Sequence, residues 1–129
     1  MKHVFHVEKR KIIVVTQIKG VNDFMDLKFI LDTGASKTVI DEGAVLRLGF
    51  DLKRMKTGDR LMTVGGIIHS KILKLPKLSL FGKDRVNFEV NVLNLSPQIT
   101  YFADGLIGMD FLLQFKNINF NFEEKIIET

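Results

Sequence analysis

The chain has 129 residues, 46% of them hydrophobic, a formal net charge of +4 and no cysteine. That length supports the core of one domain, residues 1–129, and is too short for two; without a thiol, neither a disulfide framework nor cysteine catalysis is available. Met1 to Lys11 is charged and lacks the apolar core of a signal peptide, and no segment approaches the roughly 18–20 apolar residues that span a bilayer, so a soluble cytoplasmic domain without membrane association is expected.

In chain order, Val4 to Val7 and Lys11 to Ile18 read as strands, the second opening on the β-branched run Ile12 to Val15. Gly20 to Asp23 is turn chemistry, which predicts an antiparallel hairpin with Phe24 to Leu31. His3 and His6 would point to opposite faces of a strand, and no ligand cluster joins them; they read as surface histidines, and no metal or other cofactor is predicted. Phe29-Ile30-Leu31 is continuously apolar, as a buried strand is, and delivers Asp32-Thr33-Gly34 to a sharp turn. A carboxylate at the end of a core strand is an unusual placement unless something local uses it, although Asp-Thr-Gly by itself is also a good turn.

Lys37 to Ile40 returns as a strand. Asp41 to Leu48 is the best helix candidate: Asp41 and Glu42 suit its positive end, Arg47 its negative end, Gly49 supplies a stop, and Ala44, Val45 and Leu48 share an apolar stripe. Leu52 to Asp59 is polar and basic and reads as an exposed arm. Leu61 and Met62 then rise to Val64-Gly65-Gly66, and Ile67 to Ile72 descends, a hairpin with a glycine tip. Pro76 limits Lys74 to Leu80 to an edge strand or a strand start. Val86 to Leu93 reads as a strand with Val86, Phe88, Val90 and Val92 on one face. Ser96 to Asp104 reads as a loop. Leu106-Ile107-Gly108 is a short apolar strand, followed by a helix over Phe111 to Phe115 that Asp110 caps. Ile118 to Phe122 alternates as a strand does, and Lys125 to Ile127 continues it or lies across a partner. Many short strands with one or two short helices predict a mostly-β, closed, barrel-like domain.

Leu31-Asp32-Thr33-Gly34-Ala35-Ser36, followed by Thr38-Val39-Ile40, resembles the active-site segment of aspartic proteases, particularly the retropepsin-like members that carry one such motif per chain. Gly105-Leu106-Ile107-Gly108 with Met109-Asp110-Phe111-Leu112 resembles the strand and short helix that brace the catalytic loop in that family. Thr63-Val64-Gly65-Gly66-Ile67 resembles its flap hairpin. The resemblance implies the acid-protease (retropepsin) fold and a homodimer in which each chain supplies one Asp32 to a site that hydrolyses peptide bonds of an extended peptide or protein substrate. It further implies that Thr33 bonds across the twofold axis and Gly34 offers its carbonyl to substrate. Ala35 and Val39 would line the cleft floor, the Thr63 to Ile67 backbone, with Val64, Gly65 and Gly66, would cover the substrate, and Leu106 would form part of an apolar pocket wall. Viral members usually carry Asp where Ser36 stands and Arg where Met109 stands, joined as an ion pair; both are absent here together, as in cellular or bacterial relatives. Lys37 also replaces a residue that is often acidic.

A non-catalytic protease-like module that dimerises or binds peptides is the alternative, since fold does not fix function. The positive charge does not point to nucleic acid: the lysines are scattered without interleaved aromatics. Only Lys9-Arg10-Lys11 is a run, and it reads as a solvated strand start.

Overall fold

The computed structural model describes residues 1–63 and 66–129. Its strands are β1 (Lys2–Val4), β2 (His6–Glu8), β3 (Lys11–Lys19), β4 (Phe24–Leu31), β5 (Val39–Asp41), β6 (Lys56–Thr63), β7 (Gly66–Leu80), β8 (Lys83–Leu93), β9 (Gly105–Ile107), β10 (Asn119–Asn121) and β11 (Ile126–Glu128). Three short helices join them, α1 (Glu42–Arg47), α2 (Pro97–Thr100) and α3 (Met109–Leu112), with a 3₁₀ turn at Leu52–Arg54. Among the described residues, no helix is long and apolar enough to cross a membrane.

One sheet runs in the order β2-β3-β4-β9-β5-β8-β7-β6, and an additional β3–β7 pairing closes β3, β4, β9, β5, β8 and β7 into a ring. Closure places inward-facing side chains around one core, in which Val14, Ile18, Phe29, Ile40, Leu75, Leu78, Ile107 and Phe111 are all essentially inaccessible. Burying a side chain of this size contributes about 1.5–3 kcal/mol. A second, smaller cluster of Ile13, Ile30 and Ala103 lies on the other side of β3 and β4, with Ile99, Phe102 and Leu106 packed against it. Ile13 and Ile30 face each other in the β3–β4 register.

The expected Val4–Val7 strand is split at Phe5. This ring is buried and packs edge-to-face against Phe120 and Phe122, so the chain changes sheets there. β1 joins β11 and β10 in a separate three-stranded sheet, and β11 therefore pairs with strands of its own chain.

The exposed arm expected up to Asp59 becomes the start of β6 at Lys56, because pairing with β7 supplies what the polar sequence does not. β7 is one strand of 15 residues that carries Pro76 in its interior. Lys56 to Thr63 flanks β7 up to Ile72, and β3 flanks it again from Lys77. Pro76 thus falls where one side of the strand has no neighbour, and its missing N–H costs nothing. Across the β7–β8 ladder, Asn87 stands opposite it with φ of 52°. Buried positions change parity there, from Leu73 and Leu75 to Leu78 and Leu80. Val86, expected inside with Phe88, Val90 and Val92, is consequently 67% exposed.

His3 is also a correction, since its ring is half-buried, stacked on Phe81 with centroids 4.6 Å apart. Its Nε2 is buried without a hydrogen-bond partner among the described residues. Desolvation, helped by the N-terminal ammonium, holds its pKa below the usual histidine value of 6.5. The neutral ring is therefore the form the fold prefers: the stacking is fully present above the ordinary histidine range and is lost as pH falls through the lowered value. The protection factors of the Lys2–Val4 amides, which remove the intrinsic pH dependence of exchange, are predicted to fall as the pH is lowered through this range, and His3→Phe, which keeps the stack without the titrating nitrogen, is predicted to abolish that fall.

Candidate active site

β4 ends at Leu31 because β9 runs parallel beside it, pairing Phe29 with Gly105 and Leu31 with Ile107. The ladder continues one step into the turn, with the Asp32 N–H donating to the Ile107 carbonyl at 3.0 Å. Ala35 N–H then donates to the Asp32 carbonyl at 3.2 Å, and Gly34 N–H donates to Asp32 Oδ1 at 2.9 Å. The carboxylate is thereby oriented by its own turn, while Oδ2 has no hydrogen-bond partner among the described residues.

The turn is held from outside by the start of α3. Met109 and Asp110 N–H groups donate to the Ala35 and Ser36 carbonyls at 2.8 and 3.1 Å. The Asp110 carboxylate accepts from Thr38 N–H at 3.0 Å and from the Thr38 hydroxyl at 2.8 Å. That hydroxyl in turn accepts from Gly108 N–H at 3.1 Å, so the fully buried Thr38 side chain uses both its donor and an acceptor lone pair. Asp110 does accept the Phe111 N–H at 2.9 Å, yet the helix runs Met109–Leu112 with Gly108 as its cap residue. Its larger contribution is the link to Thr38. Gly108 and Gly105 are required for space: a Cβ on Gly108 would lie 2.6 Å from the Lys37 carbonyl carbon, and one on Gly105 would collide with the Val39 carbonyl oxygen.

A hollow of about 370 Å³ opens beside Asp32. Ile30, Leu31, Leu106 and Ile99 line it together with Arg10, Lys11 and Ile12. Asp32 is its single acidic side chain. Of the residues singled out by resemblance, Asp32 and Leu106 meet in this hollow. Thr33 and Gly34 are exposed on the turn, and Ala35 is half-buried. Val39 is a buried β5 residue paired with Leu106 rather than part of the lining. Thr63 pairs with Gly66 and Met62 with Ile67 in the β6–β7 hairpin, and Ile67 is 59% exposed. Val64 and Gly65 lie outside the described residues.

The sequence reading did not anticipate Arg10, Lys11, Ile12 and Ile99 in the lining. Ile99 arrives there on α2, where a loop was expected; Ser96-Pro97, a cap residue followed by proline at the first helical position, is the signal that could have shown it. Among the described residues, no three His, Asp or Glu side chains gather at metal-binding spacing.

A family model for aspartyl proteases matches residues 16–111, and the chain belongs to that family. Similar solved structures include a retropepsin-like aspartic protease from Rickettsia conorii, with a TM-score of 0.74 and 22% identity, the match covering 98% of this chain and 88% of that one. EIAV protease in complex with the inhibitor HBY-793 is also similar, with a TM-score of 0.64 and 19% identity over 84% of this chain and 91% of that one. The fold is retropepsin-like and mostly β. No match is found among curated proteins.

Thr38→Val keeps the shape of the side chain while leaving the buried Gly108 N–H without its acceptor and removing one of the hydrogen bonds to Asp110 Oδ1. It is predicted to cost about 2 kcal/mol, read as a lower urea midpoint at unchanged slope.

Proposed function

We propose that this chain is a single retropepsin-like protease domain that acts as a homodimeric aspartic endopeptidase. The observation that carries the proposal is the Asp32 carboxylate, oriented by Gly34 N–H at 2.9 Å and opening on a hollow where it is the only acid. Peptide hydrolysis by carboxylates alone uses two, one as base and one as acid. A second copy related by a twofold axis supplies the other.

Two such carboxyls held about 3 Å apart share one proton. The ionised one takes a proton from a water lying between them as the water oxygen attacks the scissile carbonyl carbon. The protonated one donates to the carbonyl oxygen, giving a neutral tetrahedral diol. Collapse of the diol breaks the C–N bond, with one hydroxyl proton returning to a carboxylate and another proton reaching the leaving nitrogen. The pair ends as it began.

The surrounding residues support this reading. Thr33 is exposed, and its hydroxyl has no partner among the described residues, so it is available to bond across the axis. Gly34 is exposed on the turn, where its carbonyl is available to a bound peptide. The β6–β7 hairpin carries exposed Ile67 and Ile68, apolar surface suited to closing on a bound peptide as a flap. Substrate then lies extended, with alternate side chains entering apolar hollows such as that bounded by Leu106.

Cleavage of a diverse peptide mixture, read by mass spectrometry from about pH 4 to 7, tests the proposal; the range brackets a carboxyl pair sharing one proton. Cuts are predicted with the unmodified protein and none with Asp32→Asn, which keeps the turn and the dimer. Cutting by Asp32→Asn would refute the mechanism. Peptide binding without cutting by either protein would favour the non-catalytic module.

A further inference from the structure

The sequence places its one basic run, Lys9-Arg10-Lys11, at an unexpected position. Glu8 pairs with Lys11 in the β2–β3 register, so Lys9 and Arg10 form a two-residue hairpin loop. Both have positive φ, 51° and 64°. Such loops ordinarily carry Asn-Gly or Asp-Gly, because a side-chain-bearing residue is disfavoured in the left-handed region. Two long cationic side chains thus occupy the positions where the backbone least favours them. Local folding does not explain that choice.

Their surroundings do. Arg10 and Lys11 line the hollow that holds Asp32. Lys9 and Lys11 line a neighbouring hollow of about 690 Å³, walled by Pro97, Ile99, Tyr101 and Phe102. The two hollows share Lys11 and Ile99, so they form one groove leading away from Asp32. Its walls are largely apolar, with Ser96 and Gln98 among them, and its rim on the β2–β3 side is cationic. None of the three cations forms an ion pair among the described residues. Glu8 faces Lys11 across the hairpin without an ion pair, and Asp104 is engaged by Arg47 at 2.6 Å.

We propose that this groove selects substrates carrying an acidic side chain, and that Lys9, Arg10 and Lys11 are specificity-determining residues. The inference rests on the protease reading above and extends it to substrate class. An extended peptide points every second side chain to the same face, about 6.6 Å apart along the chain. An apolar side chain beside the scissile bond fills the hollow over Ile30 and Leu106. The side chain two residues further out reaches the cationic rim, where a carboxylate replaces water around three charges that form no ion pair among the described residues.

The test uses two fluorogenic peptides, identical in their apolar residues around the cut and differing only by Glu or Gln two positions from it. Cleavage is measured with the unmodified chain and binding with Asp32→Asn, at about pH 6 and at low and high salt. The Glu peptide is expected to be favoured about five- to tenfold, as several partly exposed charge contacts together supply, and the preference is expected to shrink with salt. Lys9→Asn/Arg10→Gly restores the residues this turn favours. It is expected to raise the melting temperature while losing most of the preference, which separates the charge effect from misfolding. Equal use of the two peptides by the unmodified protein, or an unchanged preference in Lys9→Asn/Arg10→Gly, would overturn the inference and leave the protease reading standing. Preferential binding of the Glu peptide with no cleavage would support the groove and refute the protease reading. Neither binding nor cleavage would overturn both.

Discussion

The fold depends on one exchange at the buried Thr38 side chain, whose hydroxyl donates a hydrogen bond to Asp110 and accepts one from the N–H of Gly108. Thr38 lies just beyond the Asp32 turn, and Asp110 and Gly108 belong to the turn that follows β9. Hydrogen bonds in so dry a place are costly to leave unmade. The exchange therefore fixes the two turns relative to each other, and the Met109 and Asp110 amides complete the clamp on the Ala35 and Ser36 carbonyls. A flexible loop could not hold a carboxylate at one position and angle against a partner or a substrate. Here the turn is secured by β9 on one side and by α3 on the other, and both rest on fully buried Ile107 and Phe111.

What could be read from the sequence followed from how local each signal is. The β4 strand, the Asp32 turn and α1 were legible because neighbouring residues determine them; Asp41, read as an acid inside the positive end of the helix, is its cap, accepting the Gly43 N–H at 2.9 Å. The Thr38–Asp110 link was not, because its partners are 72 residues apart, and Asp110 next to a helix reads most simply as a cap. β6 begins in polar sequence that only its β7 partner makes extended. The inward face of β8 is interrupted at Asn87, and no periodicity announces a positive φ. The hairpin loop at Lys9-Arg10 is the most instructive case. Its residue types argue against a tight turn, so the run passed for a solvated strand start, and its relation to Asp32 emerged only from the sheet order.

The molecule joins a dry scaffold to a wet, charged cleft. The large core fixes the ring of strands. The small cluster of Ile13, Ile30 and Ala103 beneath α2 forms the apolar floor on which the groove is built. The net positive charge of the chain acquires a local meaning at the β2–β3 loop, where Arg10 and Lys11 line the hollow of the proposed catalytic carboxylate and Lys9 lines the next one. The viral ion pair is missing at Ser36 and Met109, and this chain satisfies the same region by backbone amides and by Asp110 instead. The clamp is complete within one chain, and the chemistry is what calls for a second.

The central claim is that one chain holds half an active site. Its most direct test is the cleavage rate per chain measured across a dilution series, alongside the mass of the species by analytical ultracentrifugation. The account predicts that the rate per chain falls on dilution in proportion to the fraction of dimer. A rate per chain that stays constant in samples that sediment as monomer would contradict it.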